Sequence, residues 1–133
     1  MASLGAFASR MRKRGKKVEK NVDKVITTVA GRALSAVVLS TPVDTGRARG
    51  GWTVGINSPV RSGKTLDPGG AATIARGKST ASRVKSGQKI YIANNVEYIG
   101  FLNDGSSAQA PKNFVQSAVR AAAATVRGAK VVE

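Results

Sequence analysis

Ser62-Gly63-Lys64-Thr65 comes nearest to a phosphate-binding loop, in which glycines let backbone N–H groups and a lysine cradle a nucleotide. The first glycine of that spacing would fall at Ser58, which Pro59 follows, and no helical pattern opens at Lys64. Nucleotide hydrolysis therefore has no support. The chain contains neither Cys nor His, which removes thiolate nucleophiles, disulfides, Cys/His zinc sites and the Ser/His and Cys/His triads. Glu19, Asp23, Asp67, Glu97, Asp104 and Glu133 show no spacing typical of a metal site or an acid–base pair. The residues predict no enzyme, no metal and no cofactor.

Asp44-Thr45-Gly46 carries the letters of the dimeric aspartic-protease site, where two subunits each donate one Asp to a shared pair. Such a pair needs an enclosed site, so that two like charges hold one proton between them. Here the triplet follows a helical pattern rather than a strand. Arg47 comes next, a cation that would keep Asp44 ionised and fill a substrate groove. A turn explains the triplet better. Asp44 can accept from backbone N–H groups just beyond itself, and Gly46 can adopt a positive φ. Pro42 ends whatever helix precedes it.

The remaining charge is lopsided. Lys and Arg total 22 against 7 Asp and Glu, a formal net charge of +15. That favours attraction to a polyanion or an acidic protein face and makes copies repel at low salt. Arg10, Arg12, Lys13, Arg14, Lys16, Lys17 and Lys20 concentrate it near the N-terminus, where it reads either as a phosphate-facing arm or as a solvated terminus. The cluster is rich in Arg and poor in acids, as a transit peptide is. Glu19 and Asp23 interrupt it, however, and the helical pattern runs on, so it belongs to the mature fold. No stretch approaches the roughly 20 apolar residues of a membrane span.

The elements that would position these residues follow from periodicity. Apolar residues recur at helical spacing through Phe7, Met11, Val18, Val22, Val25, Ile26, Val29, Leu34 and Val38, predicting one long helix from about Ala2 to Ser40, or two parted near Gly15. At roughly 55 Å it would outreach a domain of this size, so one end projects. Trp52 to Ile56 and Gln88 to Ala93 read as strands of an antiparallel sheet, and Val60 to Gly70 as a loop. Ala71 to Val84, interrupted by Gly77, reads as one or two short helices or a mobile excursion, and Val96 to Leu102 as a short helix or turn. Pro111 is placed to open a closing helix with Phe114, Val115, Ala118, Val119, Ala122 and Val126 on one face before Gly128. The expected fold is α+β, in a single domain over residues 1–133. Aromatics are only 5%, so the core should be thin and stability shared with neighbouring subunits.

Three blocks occur in order: Thr41-Pro42-Val43-Asp44-Thr45-Gly46-Arg47-Ala48-Arg49-Gly50-Gly51-Trp52 after a long helix, Ile90 to Ile99, and Leu102 to Pro111. Together they resemble the tail-completion or neck proteins of tailed bacteriophages, the head-to-tail joining family that includes the lambda minor tail protein Z. The chain departs from that pattern at Ala48, where the family has a large apolar residue, and at Gly51, where Ser or Asn is common. Packing under the turn should differ accordingly.

The resemblance implies a structural protein of the virion, assembled in the host cytoplasm. It would form a homo-oligomeric ring, sixfold, between the head connector or adaptor and the tail terminator or tail tube, around a channel for double-stranded DNA. The corner Asp44, Thr45, Gly46, Arg47 and Arg49 would meet a neighbouring subunit or ring. Lys13, Arg14, Lys16, Lys17 and Lys20 would face DNA phosphates or an acidic partner. The alternative is a free, sequence-nonspecific DNA-binding protein acting through its basic N-terminal helix.

Overall fold

In the computed structural model the described residues are 4–43, 45–61, 65–85, 87–105 and 109–125 of the 133. Helix α1 (Leu4–Ser40) is followed by a single turn α2 (Arg47–Gly50), strand β1 (Trp52–Ile56), helix α3 (Ala71–Ala81), strand β2 (Ile90–Asn94), the short helix α4 (Ile99–Asn103) and helix α5 (Phe114–Ala124). The protein is α+β: a long helix packed with a small antiparallel sheet, short helices and a C-terminal helix.

The core forms where these elements cross the C-terminal half of α1. Ala30, Leu34, Val37 and Val38 on α1 meet Trp52 and Val54 on β1, Ala81 at the end of α3 and Ala118 on α5. Trp52 and Val54 pair with Asn94 and Ile92 in the two-stranded ladder, so the inward face of the sheet is set by the period of two. Helix α3 passes close over Leu34 and Val54 at Gly77, where a Cβ would collide with both side chains. Gly77 is thus a close-packing position, and α3 continues through it as one helix instead of breaking there.

Two boundaries differ from the sequence reading, those of β2 and α5, while the single long helix it expected is found. Helix α1 is continuous through Gly15 over its 37 residues. One glycine costs about 1 kcal/mol, too little to stop a helix whose C-terminal half is fixed by packing. Strand β2 spans Ile90–Asn94 because Asn57 pins Lys89 just ahead of it, donating N–H to the Lys89 carbonyl at 2.7 Å and accepting from Lys89 N at 3.1 Å. Helix α5 opens at Phe114, not at Pro111. Its first turn is satisfied by Asn103 at the end of α4, whose carbonyl accepts from Asn113 N at 2.6 Å and whose side chain accepts from Val115 N at 3.0 Å. Phe114, Ala118 and Ala122 are buried as expected, whereas Val119 is exposed. Val126 and Gly128 lie outside the described residues.

Candidate functional site: the helix-to-sheet corner and the cationic arm

Thr41 holds the corner together. It is buried, donates its hydroxyl to the Val37 carbonyl at 2.6 Å and accepts from Trp52 Nε1 at 2.8 Å, which locks the end of α1 to the first residue of β1. A buried indole N–H without that acceptor would cost about 1–3 kcal/mol. Arg49 does the same from the outside. Its Nε donates to the Thr41 carbonyl at 3.0 Å, one Nη to Leu39 at 2.9 Å and the other to Pro68 at 2.9 Å. A cation satisfying the last carbonyls of α1 also complements the negative end of the helix dipole. Arg49 is therefore turned into its own subunit, and Arg47 is the exposed arginine of the corner.

Gly46 adopts φ 87°, the left-handed conformation a non-glycine residue resists, and a Cβ there would strike Pro68. Its carbonyl accepts from Gly50 N at 2.9 Å and Asp67 N at 3.1 Å, tying the corner to the loop that leads into α3. The Asp67 carboxylate accepts from Gly70 N at 3.1 Å and from Thr73 N and Oγ1 at 2.8 Å each. Hydrogen bonds from the Thr73 N–H and hydroxyl hold the Asp67 pKa below its usual 3.8, with smaller help from Gly70 and Arg76 and with burial opposing. Asp67 caps α3, a role its spacing from the other acids did not reveal. Asp44 lies outside the described residues, as do Ser62, Gly63 and Lys64, while Thr45 is exposed.

Beside the corner a cleft of about 220 Å3 is walled by Pro42, Val43, Ala48, Tyr98 and Leu102, with Thr45, Arg47 and Gln109 also lining it. Gln109 fastens one wall, donating to the Val43 carbonyl at 3.0 Å and accepting from Val43 N at 2.9 Å. Neither sequence motif pointed to this cleft. It arises where α4 crosses the corner, and the small Ala48 leaves it open.

The cationic segment stands apart from the corner, at the other end of α1. Residues 10–17 are all exposed, and Lys20 is exposed as well, so Lys13, Arg14, Lys16, Lys17 and Lys20 are brought together on a projecting arm and not with Thr45, Gly46 and Arg47. Among the described residues no group of His, Cys, Asp and Glu could hold a metal ion, and no helix is long and apolar enough to cross a membrane.

No curated protein and no solved structure matches the chain. A family model does match, that of "Bacteriophage HK97-gp10, putative tail-component", over residues 5–105. The matched region takes in the exposed arm, the corner, the sheet and α4. The chain belongs to the HK97-gp10-like family of bacteriophage tail components, and is thereby a structural protein of the virion.

Proposed function

We propose that this tail component is a neck protein: a single-domain subunit of a ring, six copies in the first instance, that joins the DNA-filled head connector to the tail terminator or tail tube. The observation that carries the reading is the arm. A subunit that exposes every residue from 10 to 17 of its long helix, with its core gathered at the helix's other end, is built to be completed by neighbours. Thr45, Gly46 and Arg47, with Asp44 and Arg49 beside them, form the corner offered to an adjoining subunit or ring, Arg49 by stiffening it and Arg47 by contact. Lys13, Arg14, Lys16, Lys17 and Lys20, repeated around a ring, give a cationic lining that meets duplex DNA through phosphates only, or an acidic neighbouring ring. The role is mechanical, with no catalytic step and no cofactor.

Electron microscopy of particles assembled without this protein is the test. Full heads accompanied by separate, finished tails are the expected result, and normal virions would overturn the reading. The free DNA-binding alternative is separated by duplex binding of the isolated chain. Tight, steeply salt-dependent binding by the monomer favours it, whereas a neck subunit binds weakly until assembled.

A further inference from the structure

The two strands of the sheet are unequally covered. Trp52, Val54 and Gly55 of β1 are buried, with α3 packed over Val54 at Gly77 and the chain beyond β1 turned back so that Thr53 Oγ1 donates to the Val60 carbonyl at 3.3 Å. No residue of β2 is buried, and Tyr91 is exposed. Among the described residues the sheet has only these two strands, so β2 presents a pairing edge on the side away from β1.

The register fixes which groups lie on that edge. Directly opposite residues in an antiparallel pair alternate between couples that exchange hydrogen bonds and couples that do not. Asn57 N donates to the Lys89 carbonyl at 2.7 Å and Asn95 N to the Gly51 carbonyl at 3.4 Å, and these two couples continue the ladder at its ends. The odd-numbered residues of β2 therefore turn their main-chain groups toward β1, while Ile90, Ile92 and Asn94 turn theirs away. Among the described residues the N–H and C=O groups of those three have no hydrogen-bond partner. Edge strands are commonly guarded by a proline, a bulge or a charge. Ile90–Asn94 carries none of these: its register is unbroken and the nearest cation, Lys89, stands just outside it. Such an edge is a template for one more strand.

The chemistry around the edge selects the occupant. From Pro68 to Val96 the chain has five cations, Arg76, Lys78, Arg83, Lys85 and Lys89, and no acid. Lys89 and Tyr91 are exposed, whereas Ile90 and Ile92 pack against the core. A strand laid beside β2 continues both faces: apolar residues extend the layer over Ile90 and Ile92, and a carboxylate comes to lie beside Lys89. A second copy fits poorly, since it brings the same lysines on a chain of net charge +15. With β1 covered, two copies would also have to pair β2 with β2 about a two-fold axis, which closes a dimer and not a ring.

We infer that β2 receives an extended segment of an adjoining virion protein, alternating apolar with acidic side chains, as an antiparallel third strand. Its main chain exchanges hydrogen bonds with Ile90, Ile92 and Asn94, its apolar residues lie beside Ile90 and Ile92, and an acid lies beside Lys89. This deepens the neck reading, on which it rests for the adjoining protein: a ring with one open edge per subunit holds the next assembly through added strands.

Two substitutions and an exchange measurement test it. Ile90→Pro deletes an outward N–H at the first residue of an edge strand, a place where proline is tolerated. Lys89→Glu reverses the charge beside the incoming acid. Each variant should keep the Tm and self-assembly of the parent chain, and each should lower the yield of joined particles roughly tenfold. If Ile90→Pro melts early, Lys89→Glu decides. Amide exchange at Ile90, Ile92 and Asn94 should be fast in the dilute chain, stay fast when the concentrated chain self-assembles, and slow at least roughly tenfold in joined particles. Protection that is already present in the self-assembled chain assigns the edge to a second copy and overturns the proposal. Fast exchange in all three states, or normal joining by the folded variants, overturns it as well and leaves the neck reading standing. Particles that join normally with the protein absent overturn the neck reading itself.

Discussion

The two halves of α1 share one helix and one style of apolar repeat, yet they differ in every consequence. In the C-terminal half Ala30, Leu34, Val37 and Val38 are covered by β1, α3 and α5, and the helix end is tied by Thr41 and Arg49. In the N-terminal half Phe7 and Met11 repeat at the same spacing with water around them. Amphipathic spacing specifies a face to be buried, and it leaves open what buries it. The contrast is sharpened by charge, because seven cations in eleven residues would be costly to bring into a core but are easily carried on an arm.

The largest expected effect tests the contrast directly. Leu34→Ala should destabilise the fold by about 2–5 kcal/mol and lower Tm by roughly 10 °C, whereas Phe7→Ala, an equally apolar position of the same helix, should stay within about 0.5 kcal/mol. Thermal melts of the two variants decide it; similar losses would mean that the arm is packed within its own subunit. At the junction, Arg49→Ala should cost about 1–3 kcal/mol through three lost charge-assisted bonds, and Arg47→Ala next to nothing. Denaturant titration reads both, and equal costs would return Arg49 to the exposed side of the corner.

A smaller effect belongs to the arm. Among the described residues nothing lies within 4 Å of a Cβ placed at Gly15, so Gly15→Ala should strengthen the local helix by about 1 kcal/mol. Because the arm can fray without global unfolding, the gain should appear as slower amide exchange over residues 10–20 with Tm unchanged. A raised Tm would couple the arm to the core.

The least effect at neutral pH concerns the cap that holds α3 over the buried half. Asp67 has its pKa lowered in the fold, so its contribution is complete above the unfolded value of 3.8 and is lost as pH falls through the lower folded value. Asp67→Asn should melt below the parent chain at pH 7, and the gap should close as pH drops below 3.8. A gap that is constant with pH would assign Asp67 a role without its charge.

Much of this architecture was legible in the residues. The long helix, both strands, the Gly46 turn and the burial of Trp52 follow from spacing, from Pro42 and from alternation. What escaped were contacts between distant segments. Asn103 setting the start of α5, Asn57 trimming β2, Asp67 capping α3 and Arg49 folding back onto Leu39 and Thr41 all join residues whose partners no local pattern marks. The corner was legible as a turn, while the cleft beside it was not, since it exists only where α4 passes over Ala48.

By itself the sequence determined the helix, its apolar repeat, its cations and the order of the blocks, because periodicity, propensity and charge are local properties of the chain. Only the tertiary structure decided that one half of α1 is core and the other half arm, that Arg47 and Arg49 part company, and that a cleft opens at Ala48. Burial, capping and cavities depend on which distant elements arrive in the same place, and that is fixed by packing.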